Sequence, residues 1–204
     1  MRVRITFSKI GALRYIGHLD LHQVWERTIR RAGLPLAYTQ GFHPGPKMQI
    51  AAALPLGFSG EAELIDIWLK DGTVETGELR ERLQKAAPPG LKMVSVEPVD
   101  EHAPVLQTQV VAAEYEVTIL EGDPADAVRT VLMADSLPRE RRGKAYDLRP
   151  LILALEPMAG GLCMRLMASA GATGRPEEVL AELGIPLESA RITRKRLIFK
   201  DDVK

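Results

Sequence analysis

Two periods of apolar residues mark the start of the chain. Arg2 to Phe7 alternates polar and apolar, which predicts a strand with Val3, Ile5 and Phe7 toward a core and Arg2, Arg4 and Thr6 facing away. From Asp20 to Ala32 the spacing changes: Leu21, Val24, Trp25, Thr28, Ile29 and Ala32 fall on one helical face. Asp20 with Gln23 is placed for a capping box, and Gly33 followed by Pro35 ends the helix. After a turn-rich loop from Thr39 to Pro46, Lys47 to Leu54 and Glu61 to Leu69 alternate as two strands around Pro55, Gly57 and Gly60. A helix from Thr76 to Ala87 is broken by Pro88-Pro89-Gly90, and Leu91 to Val96 is a fourth strand.

The pattern then restarts. Glu114 to Leu120 reads as a strand and Pro124 to Leu137 as a helix. Tyr146 to Leu155 and Leu162 to Ala168 read as a hairpin turning at Met158-Ala159-Gly160-Gly161. Pro176 to Leu183 is a short helix and Ala190 to Phe199 the last strand. The expected fold is therefore α+β: two tandem ferredoxin-like (βαββαβ) domains with antiparallel sheets. Their expected bounds are 1–98 and 112–204, with the proline-containing stretch 99–111 as linker.

Composition narrows the function classes. A hydrophobic content of 46% beside 26% charged residues supports ordinary globular cores. No run approaches the roughly 20 apolar residues of a membrane span, so a cytoplasmic protein without membrane partners is expected. Cys163 is the only cysteine, which excludes a disulfide framework, a zinc ribbon or a cysteine-held iron–sulfur cluster within one chain. Net charge is zero, yet residues 1–50 carry eight basic against two acidic residues, a surplus that suits an anionic partner.

Candidate chemistry concentrates between Arg14 and Leu69, where three of the four histidines lie. His18 and His22 flank Asp20, but this spacing is not a recognised ligand set, Asp20 is better used as a cap, and no metal is expected. Arg27, Arg30 and Arg31 sit where the helix dipole already favours cations. The loop from Thr39 to Lys47 adds Gly41, His43 and Lys47, whose backbone and side chains suit a phosphate or carboxylate. Arg14, His18, Asp20, Arg27, Arg31, Gly41, His43 and Lys47 form the candidate substrate- or anion-binding set. No catalytic residue is firm; His18 and His43 are the two that general acid–base chemistry could use. On the strand faces, Trp68 beside Arg2 and Arg4 has the layout of an RNA-stacking sheet, and Arg4 is equally placed to pair with Asp66 across the strands.

The motifs RYIGHLDL, RRAGLPLAYTQGFHPGPKMQIAAALPLG and ELIDIWL resemble those of bacterial radical SAM-linked, or radical SAM-associated, proteins, and GKAYDLRPLI and Arg194 extend the resemblance over nearly the whole chain. It adds Lys144, Asp147, Arg149 and Arg194 as second-domain candidates. It implies a module working with a radical-SAM protein, in a setting of ribosome and RNA-processing genes that makes tRNA or rRNA the candidate ligand. With one cysteine, the iron–sulfur cluster and SAM would reside in that partner and no cofactor in this chain. The expected function is a noncatalytic RNA- or substrate-binding accessory. The alternatives are a metal-independent RNA endonuclease or small hydrolase using His18 or His43, and a structural adaptor.

Overall fold

The alternation of the first residues is realised as strand β1, Arg2–Lys9. The computed structural model describes residues 1–70, 75–120 and 122–203, and the chain divides into two units, Met1–Gln109 and Val110–Lys204. Both mix helices with antiparallel strands, the coarse class expected from the sequence.

In the first unit β1 leads through a 3-10 turn, Gly11–Tyr15, into α1, His18–Arg31. There follow β2, Met48–Ile50, β3, Ser59–Trp68, α2, Thr76–Ala86, β4, Leu91–Val99, and the short α3, Leu106–Gln109. The strands lie in the order β4-β1-β3-β2, every pair antiparallel. Val3 and Ile5 stand opposite Ile67 and Ile65, and with Phe7 they meet Leu21, Trp25 and Ile29 of α1 and Leu79 and Leu83 of α2 in one core. Each such side chain, fully withdrawn from water, contributes about 1.5–3 kcal/mol. Phe7 meets the edge of Trp25 with ring centroids 4.9 Å apart.

Two local expectations change. Helix α1 begins two residues before Asp20, with extended Gly17 preceding it, and Asp20 accepts the Gly17 N–H at 3.4 Å from within the first turn. Glycine tolerates the cap position, and an aspartate inside the first turn still favours the helix dipole. Strand β2 is shorter than expected because the chain bends at Ala51 and Ala52; it turns again at Leu56 and Gly57, where the Gly57 N–H donates to the Arg14 carbonyl at 2.8 Å.

The larger change concerns the second face of this sheet. Arg2 and Trp68, expected on an accessible strand face, are buried, as are Leu64 and Asp66 beside them. Asp66 accepts bonds from Arg2 Nε and Nη2 (3.0 and 2.6 Å) and from Arg4 Nε and Nη2 (2.8 and 3.1 Å). Arg2 also donates to the carbonyls of Ala103 and Pro104 (2.6 and 3.0 Å). The stretch expected as a linker, 99–111, is instead occupied by structure: β4 runs to Val99, Leu106 of α3 is buried, and its N–H donates to Gln49 Oε1 at 3.2 Å. Gln107 Nε2 reaches the Ile50 carbonyl at 2.9 Å. Buried guanidinium groups need acceptors, and the carbonyls of this stretch supply them.

The second unit runs β5, Val110–Ile119, α4, Ala125–Met133, β6, Pro138–Arg141, β7, Lys144–Asp147, and β8, Ile152–Met158. It continues with β9, Gly161–Ser169, β10, Ala172–Thr173, α5, Pro176–Glu182, and β11, Ala190–Phe199. Its sheet has the order β11-β5-β9-β8, again antiparallel, with β10 adding two residues beside β9. Tyr146, expected in the first arm of the hairpin with β9, belongs to a separate ribbon, β6–β7. That ribbon turns through Arg142 (φ 53°) and Gly143 (φ 74°), both in the left-handed region a two-residue hairpin loop requires.

Candidate anion-binding site

The first-unit candidates fall into three groups. Helix α1 rises about 1.5 Å per residue, so His18 and Arg31 at its ends lie about 20 Å apart, too far for one small-ligand pocket.

At the start of α1, Arg14 stacks on its neighbour Tyr15, 4.6 Å from the ring centroid, and donates to its hydroxyl. The Arg14 Nε and the His18 Nδ1 are buried without a hydrogen-bond partner among the described residues. The rings of His18 and His22 meet at 5.9 Å, and burial, together with the His18 charge, pushes the His22 imidazole below its ordinary pKa against the pull of Glu26. Asp20 is exposed and engaged with Gly17.

The second group is the loop between α1 and β2. Thr39 and Gly45 close its neck, Thr39 N–H to the Gly45 carbonyl at 2.8 Å and Gly45 N–H to Thr39 Oγ1 at 3.0 Å. Gly41 (φ 138°), Phe42 and His43 stand exposed at its tip, Phe42 without any cover. Lys47, beyond the neck, leaves this group: its ammonium rides 4.8 Å above the Trp68 indole, which Arg2 approaches at 4.9 Å. Trp68 is thus occupied by cations of its own unit, and base stacking on it is removed as an expectation.

The third group lies where α1 ends. Arg30 is committed to Glu26 at 2.7 Å and to the Tyr38 hydroxyl at 2.8 Å. Arg27 and Arg31 are exposed and have no ion-pair partner among the described residues. Arg31 borders a concavity of about 550 Å³ with Ala32, Arg82, Lys85 and Ala86. Arg82 holds the two helices together: Nε and Nη2 donate to the Ala32 carbonyl (3.1 and 2.9 Å), and Nη2 also reaches the Gly33 carbonyl at 2.9 Å. Lys85 is shared with an adjoining hollow of about 330 Å³ that Arg80, Glu81, Gln84 and Met93 complete. Arg80, Arg82 and Lys85 were absent from the sequence candidates. The one signal for them was the presence of three cations in α2, which only its packing beside Arg31 turns into a site.

In the second unit most candidates close the structure. The Asp147 carboxylate accepts the N–H groups of Leu137 (2.8 Å) and Arg149 (2.9 Å), which hold its pKa below the ordinary carboxylate range. Arg149 Nη2 donates to the Leu132 carbonyl at 3.0 Å. Arg194 is buried in β11, and Lys144 is exposed on the ribbon. Arg139 and Arg141 tie that ribbon to α5 through Glu182 (2.8 Å) and Glu178 (2.7 Å). Among the described residues no group of three or more His, Cys, Asp or Glu side chains is arranged to hold a metal ion, and no helix is long and apolar enough to cross a membrane.

A family model described as "Uncharacterized protein conserved in bacteria (DUF2344)" matches residues 2–177. No curated protein matches the chain. Similar solved structures include an unknown protein from Galdieria sulphuraria, 12% identical over 97% of this chain and 98% of that one, with a TM-score of 0.30. The acetolactate synthase small subunit from Thermotoga maritima is 11% identical over 97% and 95%, at 0.28. A heavy metal efflux pump is 11% identical over 95% of this chain and 28% of its own, also at 0.28. At these TM-scores the likeness carries no argument.

Proposed function

The chain belongs to this bacterial family, and on that premise we propose that it is a noncatalytic accessory module that binds RNA through the helical side of its first unit. The observation that carries the reading is the concavity bordered by Arg31, Arg82 and Lys85, with Arg27 and Arg80 exposed on the same two helices. Arg31 and Lys85 have no carboxylate partner among the described residues, while Arg82 pairs with Glu78 at 3.3 Å; free cations beside a hollow suit a phosphate backbone. Arg2 and Arg4 of β1, by contrast, serve Asp66. The partner in this reading is a radical-SAM protein, as the sequence resemblance implies. A lone Cys163 does not fit an iron–sulfur cluster, so that cluster and its SAM belong to the partner. The two strand orders, β4-β1-β3-β2 and β11-β5-β9-β8, support reading both units as ferredoxin-like, with the β6–β7 ribbon inserted in the second.

The test is a salt titration of binding to tRNA and to rRNA fragments. Affinity is expected to fall steeply with salt, and Arg31→Ala with Lys85→Ala to lower the log–log slope by roughly 1.4, about 0.7 per lost single-strand contact. Absence of binding at low salt, or an unchanged slope in the double variant, sinks the proposal. A second reading, RNA cleavage using His18 or His43, has the unpartnered Nδ1 of His18 in its favour. Cleavage products that vanish in His18→Ala or His43→Ala would replace the first reading with this one.

A further inference from the structure

The sheet of the second unit carries a row of charges beside a row of apolar side chains. Strand pairing sets Arg165 of β9 and Arg196 of β11 on either side of Glu114 of β5, and Met167 and Ile198 on either side of Ala112. Because Ala112 is small, the second row is low in its middle. These five positions, excluding Glu114, border a hollow of about 550 Å³, with Leu153 of β8 at its edge. That volume lies within the usual range for small-molecule sites, roughly 300–1,000 Å³.

The charged row is organised before any ligand arrives. Glu114 Oε1 accepts Arg165 Nε and Nη2 at 3.0 and 2.6 Å. Arg196 Nε donates to Oε2 at 2.6 Å and its Nη2 to Oε1 at 3.1 Å. The Arg196 and Arg165 hydrogen bonds keep the Glu114 carboxyl below its ordinary range, so the cluster stays ionised near neutrality. Two guanidinium groups on one carboxylate leave a surplus of one positive charge. Each arginine uses Nε and Nη2 on Glu114, which leaves the Nη1 hydrogens for a further acceptor. Asp202 also borders the hollow and by count cancels that surplus, so the pull on an anion comes from the directed Nη1 donors; its Oδ2 already accepts the Phe199 N–H at 2.9 Å. The lining includes no aromatic ring, so it offers nucleobases nothing to stack on.

We propose that this hollow is a binding site for a small amphipathic carboxylate, its anionic end on the free guanidinium edges of Arg165 and Arg196 and its apolar body over Ala112, Met167, Ile198 and Leu153. A neutral apolar molecule leaves the guanidinium donors unused, and an amphipathic cation meets their charge. The site draws its residues from the second unit and the RNA reading draws its own from the first, so neither reading depends on the other.

The test uses the full chain titrated with decanoate by isothermal calorimetry, with decyltrimethylammonium as the cationic control. Decanoate is expected to saturate one site. Arg165→Ala and Arg196→Ala are each expected to weaken it at least tenfold with tRNA binding unchanged. Leu153 is 48% exposed, so Leu153→Asp should leave the fold intact and also weaken decanoate at least tenfold. This variant keeps the proposal testable if an arginine variant unfolds. Absence of saturation by decanoate, equal binding of the cation, or undiminished decanoate affinity in Leu153→Asp overturns it.

Discussion

Asp66 determines what the first sheet can do. Fully buried, it pairs with Arg2 and Arg4 at once, and the same contacts that hold it withdraw both arginines from any ligand. Asp66→Ala leaves Arg2 as a buried charge with carbonyl acceptors alone, a loss expected at about 3–5 kcal/mol in urea unfolding. The pairing of Arg4 with Asp66 was legible in the alternation of the two strands. That of Arg2 with Ala103 and Pro104 was not, because those acceptors lie a hundred residues away and are backbone groups, which composition does not mark. His22 gives a residue-scale pH effect. Its folded pKa is depressed, so the stability it contributes is complete above its ordinary value of about 6.5 and is lost as pH falls through the folded value. Thermal midpoints followed downward from about pH 8 are expected to decline near and below 6.5. The decline should be shallower in His22→Gln; identical profiles for the two proteins would remove His22 as the cause.

Element by element, periodicity located what is amphipathic. The bounds of β11 agree with the sequence, and α1 differs by two residues at its start and one at its end, because both alternate strongly between core and surface. What escaped are elements whose residues face no large core. The β6–β7 ribbon is held by Arg139 and Arg141 on α5, an arrangement without apolar period. The stretch 99–109 escaped for a related reason: one proline and mostly polar residues surround Leu106, the one fully buried anchor of α3. Leu106→Ala is expected to destabilise the protein by about 2–5 kcal/mol, as a core truncation does, whereas a linker residue would leave the unfolding midpoint unmoved. Of the candidate site, the loop and the end of α1 could be read from charge and glycine. The share of α2 could not, since it arises only when Arg82 binds the carbonyls that α1 leaves open at its end.

For the molecule as a whole, zero net charge conceals a division of labour between cations. Arg2 and Arg4 of β1 and Arg139 and Arg141 of the β6–β7 ribbon serve the fold, while Arg27, Arg31, Arg80 and Lys85 remain available on the helices of the first unit. Reversing Arg31 and Lys85 to glutamate is accordingly expected to abolish tRNA binding. Reversing Arg142 and Lys144, equally exposed cations of the second unit, is expected to leave the affinity within about twofold, a difference under 0.5 kcal/mol. A comparable loss from both double variants would move RNA contact beyond the first unit. Trp25 and Trp68 are the only two tryptophans, and both belong to that first unit. Intrinsic tryptophan emission is therefore a private signal of one half of the chain, whereas far-ultraviolet circular dichroism sums over both. Recorded along a single denaturant series, coincident curves would report one cooperative transition and displaced curves two.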